Sequence, residues 1–109
     1  MDFKLFNPLN VKNFHKDDQI LHDCESKRLT LEIPISSILN ASFVNRAKLI
    51  NNMRIFLKKV MKRGTPFVFT LNGTDKFDEK NERELTAIIC MLGLTPQQAR
   101  MQAKKAVKL

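Results

Sequence analysis

Seven Lys or Arg residues fall between positions 46 and 63, namely Arg46, Lys48, Arg54, Lys58, Lys59, Lys62 and Arg63, with no Asp or Glu among them. Cationic groups held in a row bind phosphate oxygens through charge-assisted hydrogen bonds, Arg as a planar fork and Lys as a point charge. The chemistry on offer is therefore recognition of a polyanion. At helical spacing Arg54, Lys58, Lys59 and Lys62 share one face with Lys48. Surface helices ordinarily mix signs through i,i+4 pairs, and a one-signed face forgoes that stabilisation. Ile55 interrupts this face where water alone would not select it, which marks it as a point of contact with a protein. Farther on, Arg100, Lys104 and Lys108 recur at steps of four and form a second one-signed ridge.

Groups for bond-breaking chemistry are sparse. Two histidines, His15 and His22, are too few for a metal-dependent phosphoesterase centre and are expected at the surface. The sequence has no Walker loop, no G-x-G-x-x-G and no nucleophile elbow, and its three glycines serve as caps or a turn. Glu32 has the type of a general base but no visible partner, and is expected to be a polar residue on a strand. Cys24 and Cys90 sit at apolar helical positions without CxxC spacing and are expected as buried, reduced thiols. No catalytic residue, metal site or cofactor is therefore expected. With a formal charge of +8 in 109 residues, a polyanionic partner is expected. Trp and Tyr are absent, so base stacking on an exposed aromatic platform is not expected.

The elements that must position these cations follow from periodicity. Over 45–63, Leu49, Ile50, Met53, Phe56, Leu57, Val60 and Met61 recur at the three-and-four spacing of a core-facing stripe. Gly64 and Pro66 end that helix. Before it, residues 2–7 predict a short strand, 16–26 a short helix docking through Ile20, Leu21 and Cys24, and 28–36 an alternating strand. In that last strand Pro34 cannot donate to the ladder, placing it at a sheet edge or at the end of regular pairing. Residues 37–44 then lead to the long helix.

After it, 66–71 is a nearly continuous apolar strand of the sort buried in parallel sheets, ended by Asn72 and Gly73. A helix follows with Asn81 as N-cap and Leu85, Ile88, Ile89 and Leu92 inside, closed by Gly93 and Leu94. Thr95, Pro96 and Gln98 open the last helix with cap, first-turn proline and capping box in register. The alternation implies one α/β domain with parallel strands and right-handed crossovers. No apolar run approaches the ~20 residues that span a bilayer, and MDFKLFNPLN lacks a signal-peptide pattern, so a cytoplasmic protein without a membrane partner is expected.

Three stretches, LEIPISSIL over 31–39, NRAKLINNMRIFLKKVMKRGTPFVFTLNG over 45–73 and LTAIICMLGLTPQQA over 85–99, resemble protein component 3 of ribonuclease P. Its eukaryotic counterpart is the thirty-kilodalton subunit. The resemblance covers about two-thirds of the chain. It implies a TIM-type barrel, of which residues 1–109 would form the C-terminal part, with about three parallel strands and flanking helices.

The function it implies is an RNA-binding, non-catalytic subunit of the endoribonuclease that removes the 5′ leader from precursor tRNA. In that family an RNA carries the chemistry, and the partners are the ribonuclease P RNA, precursor tRNA, protein component 2 and other subunits. By the resemblance Arg46 matches a helix-opening Arg, and Arg54, Lys58 and Arg63 fall in a basic helix. Lys80 and Arg83 fall in an Arg-x-Pro-Arg-Asp-like turn, where Lys at 80 and Glu at 82 depart from the pattern. Thr70 and Leu71 stand where the family has Ser-Ser.

Three strands cannot close an eight-stranded barrel. Completion by a second polypeptide or another copy is therefore expected. The alternatives are a metal-dependent phosphoesterase remnant of a related barrel and a general basic α/β interaction module. With about five phosphates neutralised, log affinity is expected to fall against log salt with a slope of roughly 3.5 to 4.5.

Overall fold

A computed structural model of the chain describes residues 4–71 and 79–108, and for 79–81 and 108 the backbone alone. The described elements run β1 (Leu5–Phe6), two 3-10 turns (Pro8–Asn10 and Phe14–Lys16), α1 (Gln19–Lys27) and β2 (Thr30–Pro34). They continue through α2 (Ile35–Leu39), α3 (Phe43–Arg63), β3 (Phe67–Leu71), α4 (Glu79–Met91), α5 (Pro96–Lys105) and β4 (Val107–Lys108).

All the strands are parallel and lie in the order β1-β2-β3-β4. Leu31 faces Phe67 and Ile33 faces Phe69 in the β2–β3 register. Successive side chains alternate between sheet faces, so these four share one face while Thr30, Glu32, Val68 and Thr70 share the other. Leu31, Ile33 and Phe69 are fully buried against the helices, together with Leu21, Phe56 and Ile89. On the opposite face Thr30, Glu32 and Val68 are only half-buried. Strands that follow each other in space as in sequence need crossovers of one hand, which bring successive helices to the same side of the sheet.

Pro34 is the last residue of β2, paired with Thr70, and α2 begins immediately after it. Its missing N–H therefore falls where the ladder ends, as its position in the sequence predicts. The stop of α3 also follows the sequence. Gly64 takes φ 72°, and its N–H reaches the Val60 and Met61 carbonyls. A left-handed φ is available to glycine without the Cβ penalty.

The capping box opening α5 forms as well. Gln98 N–H donates to Thr95 Oγ1 at 3.2 Å and Thr95 N–H donates to Gln98 Oε1 at 3.0 Å. Thr95→Ala is expected to lower stability by about 1 kcal/mol while Thr95→Ser retains most of it, read as urea midpoints at constant m.

Several boundaries differ from the sequence reading. Of the short strand predicted over 2–7, residues 2 and 3 lie outside the described residues and Leu5–Phe6 is strand; α1 starts at Gln19, with Phe14–Lys16 forming a separate 3-10 turn. A short helix, α2, occupies Ile35–Leu39, so Ile35 and Ser36, expected at the end of the 28–36 strand, are helical instead, and α3 begins at Phe43. Helix α4 starts at Glu79, so Asn81 lies inside its first turn instead of capping it. Helix α5 stops at Lys105, and Lys108 leaves the predicted ridge for β4, which pairs with Thr70 and Leu71. That pairing makes four strands where three are predicted. Asn72 and Gly73 lie outside the described residues.

Candidate nucleic-acid interface

Helix α3 is set on the sheet by Met53, Phe56, Leu57 and Val60, each at most 1% exposed. Leu49, Ile50 and Met61 flank that stripe and are partly buried. Phe14 meets Phe56 edge-on with ring centroids 5.4 Å apart. The contact draws the Phe14–Lys16 turn, and α1 behind it, along one side of α3. Acidic residues on that side consequently come within reach of part of the basic face.

Two of the predicted cations are taken up there. Lys59 Nζ donates to Asp18 Oδ1 at 2.9 Å and to the His15 carbonyl at 3.0 Å. Arg63 forks onto Glu25, with Nε to Oε1 and Nη2 to Oε2 both at 2.9 Å. Arg46 turns back as well: its Nη2 donates to the Leu39 carbonyl at 2.7 Å and so ties the start of α3 to the end of α2. These three head groups hold the fold together. The other four, Lys48, Arg54, Lys58 and Lys62, are exposed and make no ion pair with any described residue.

The remaining predicted cations lie on other helices. Arg83 on α4 and Arg100 on α5 line one depression with Glu82 and Thr86. Lys104 is exposed one turn beyond Arg100. The side chain of Lys80 lies outside the described residues. Ile55 is 43% exposed between the α3 cations, as its place in the sequence predicts. Asp18 and Glu25 carry no sequence signal as partners, because they lie 41 and 38 residues from the cations they bind. The exposure of Phe43 at 84% and Val44 at 75% also escapes a reading that starts the helix at Asn45.

The Glu25 carboxyl is held below the ordinary carboxylate range, first by the Arg63 hydrogen bond and then by the charge of that guanidinium. Arg63 is pushed up by the same bond. A lowered carboxyl pKa in the folded state adds stability above the unfolded value, about 4.3, which is lost as the pH falls through the folded value. Glu25→Gln is therefore expected to melt below wild type near pH 7, with the two curves converging in acid. A constant gap across the acid range would show that the pair contributes nothing to stability. Because both side chains stay about two-fifths exposed, at 40% for Arg63 and 43% for Glu25, the gap should be small and shrink in salt.

The groups considered for catalysis do not converge. Glu32 accepts a hydrogen bond from Thr70 Oγ1 at 3.2 Å, linking β2 to β3. His22 is exposed, whereas His15 is 9% exposed and buried with its ring edge-on to Phe14, so the surface expectation fails for His15. The Phe14–Phe56 contact draws that turn inward. Cys24 is buried and free, and burial pushes its thiol up, away from reactivity; Cys90 is free and half-buried. Among the described residues no group of three or more His, Cys, Asp or Glu is placed to hold a metal ion, and no helix is long and apolar enough to cross a membrane.

Fold and surface define a class: a parallel α/β protein with helices packed on its sheet and a cationic helix on which Lys59 and Arg63 are ion-paired while Lys48, Arg54, Lys58 and Lys62 pair with no described residue. No protein-family model, curated protein or solved structure matches the chain.

Proposed function

We propose that the chain is a non-catalytic RNA-binding subunit of ribonuclease P, supporting the RNA that cleaves the 5′ leader from precursor tRNA. The observation that carries the reading is the set of four exposed cations on α3, Lys48, Arg54, Lys58 and Lys62, which form no ion pair with any described residue. A helix is too wide for the deep, narrow groove of duplex RNA, so such a face reads phosphates and shape. Arg83, Arg100 and Lys104 extend the contact from α4 and α5.

The fold is in keeping with part of a TIM-type barrel. Its four parallel strands run in sequence order, whereas an open doubly wound sheet reverses order at a switch point. All-parallel sheets are ordinarily covered on both faces, and here Thr30, Glu32 and Val68 are half-buried on one of them while Thr70 beside them is buried. A second polypeptide or another copy completes the barrel, with protein component 2 as a further partner.

Affinity purification of the tagged chain, with RNA and protein identification, tests the reading. Enrichment of the ribonuclease P RNA with component 2 is the expected result. Recovery of neither overturns it.

A further inference from the structure

The seam between α3 and the C-terminal end of α4 holds two adjoining depressions, of about 460 and 550 Å³. Asn51 and Arg54 line both, so they form one continuous groove. Apolar side chains line it beside Asn51 and the cations: Phe43, Ile50 and Met91 in one half, Ile55, Met61 and Leu92 in the other. Phe43 is 84% exposed and Met91 54% exposed. Large side chains left this open in a row mark a surface that something else covers. The groove follows α3 from Phe43 to Met61, a rise of roughly 27 Å, which is the length of a partner helix of about five turns.

We propose that this groove docks an amphipathic helix with acidic flanks from a partner protein. Charge selects that occupant. Arg54 and Lys58 stand along the groove, Arg46 borders it, and among the described residues no Asp or Glu lines either half. An apolar stripe at i, i+3/i+4 and i+7 meets the apolar side chains, and Glu or Asp beside the stripe meets the two free cations. A second copy of this chain would bring its own α3 cations, on a molecule of charge +8, against like charge. RNA phosphates satisfy Arg54 and Lys58 but leave Phe43 and Met91 in water. Arg54 and Lys58 are shared with the RNA reading, so the partner helix competes with RNA for these two cations, whereas Phe43 and Met91 distinguish the groove from the RNA face.

The test places a photoreactive p-benzoylphenylalanine at Phe43 in the full chain, with Gln97 on α5 as the control position, in extract of the cell that makes it. Adducts are identified by mass spectrometry. The expected result is an adduct at position 43, absent at 97, whose crosslinked segment is amphipathic and acidic. That segment, made as a labelled peptide, should bind wild type and bind Phe43→Ser and Met91→Ser each roughly tenfold more weakly. Both positions are more than half exposed, so melting temperatures should not change. An adduct with a second copy, with RNA or with a segment free of acidic residues overturns the proposal. The absence of any adduct at 43, or peptide affinity indifferent to both substitutions, does so too.

Discussion

Exchanging Lys48, Arg54, Lys58 and Lys62 together for Gln is expected to lower affinity for structured RNA by roughly three orders of magnitude or slightly more at ~0.1 M salt. Each phosphate neutralised contributes roughly 0.7 to 0.9 to the slope of log affinity against log salt. Four free cations on α3 therefore account for a slope of roughly 2.8 to 3.6, which over the decade from ~1 M to ~0.1 M becomes an affinity change of that size. The sequence alone suggests a steeper dependence, because it counts Lys59 and Arg63 with the rest. In the fold those two sit on Asp18 and Glu25, and a cation already paired releases little counterion when RNA arrives.

Filter binding across a salt series checks the expectation. In the four-fold variant the slope should flatten by about three, whereas Lys59→Gln with Arg63→Gln should change it by less than about one. A four-fold variant with the wild-type slope would place the RNA elsewhere, with Arg83, Arg100 and Lys104 next to be replaced.

The same division shows what a one-dimensional reading can recover. The apolar stripe of α3, its glycine stop and the Thr95–Gln98 box are local patterns, and local physics decides them: side-chain period, left-handed φ and a hydroxyl three residues from an N–H. The parallel arrangement was legible for a similar reason, since helices of this length between strands leave little alternative.

Elements that form only through distant contact were not legible. Helix α2 begins at Ile35, which continues the Leu31, Ile33 alternation of the strand, and the helical spacing Ile35, Ile38, Leu39 spans a single turn, too short to set a period. Strand β4 has two residues, Val107 and Lys108, with no period of their own; Thr70 and Leu71 make them a strand. His15 is buried because Phe14 is drawn against Phe56, not because of anything at position 15. As for the candidate site, residue types and helix face were readable. Which cations remain free was not, because that depends on how α1 lies along α3.

The second large effect is expected at Phe56, the residue that sets α3 against the Phe14–Lys16 turn. Phe56→Ala removes a ring that is 1% exposed from a filled core and is expected to destabilise the protein by about 3 to 5 kcal/mol. Domains of this size hold roughly 5 to 15 kcal/mol in all, so the variant should unfold at a much lower urea concentration with little change in m. Phe14→Ala is expected to lose less, because that ring packs at the margin of the core at 5% exposure. If the edge-on contact at 5.4 Å fastens the turn, the double variant should lose less than the sum of the two. The shortfall should be about 0.5 to 1.5 kcal/mol, the usual worth of an aromatic pair. Strict additivity would mean that the turn is held by the Lys59 bonds to Asp18 and the His15 carbonyl instead. Lys59→Met, which keeps the stem and removes the charge, would then carry the larger cost.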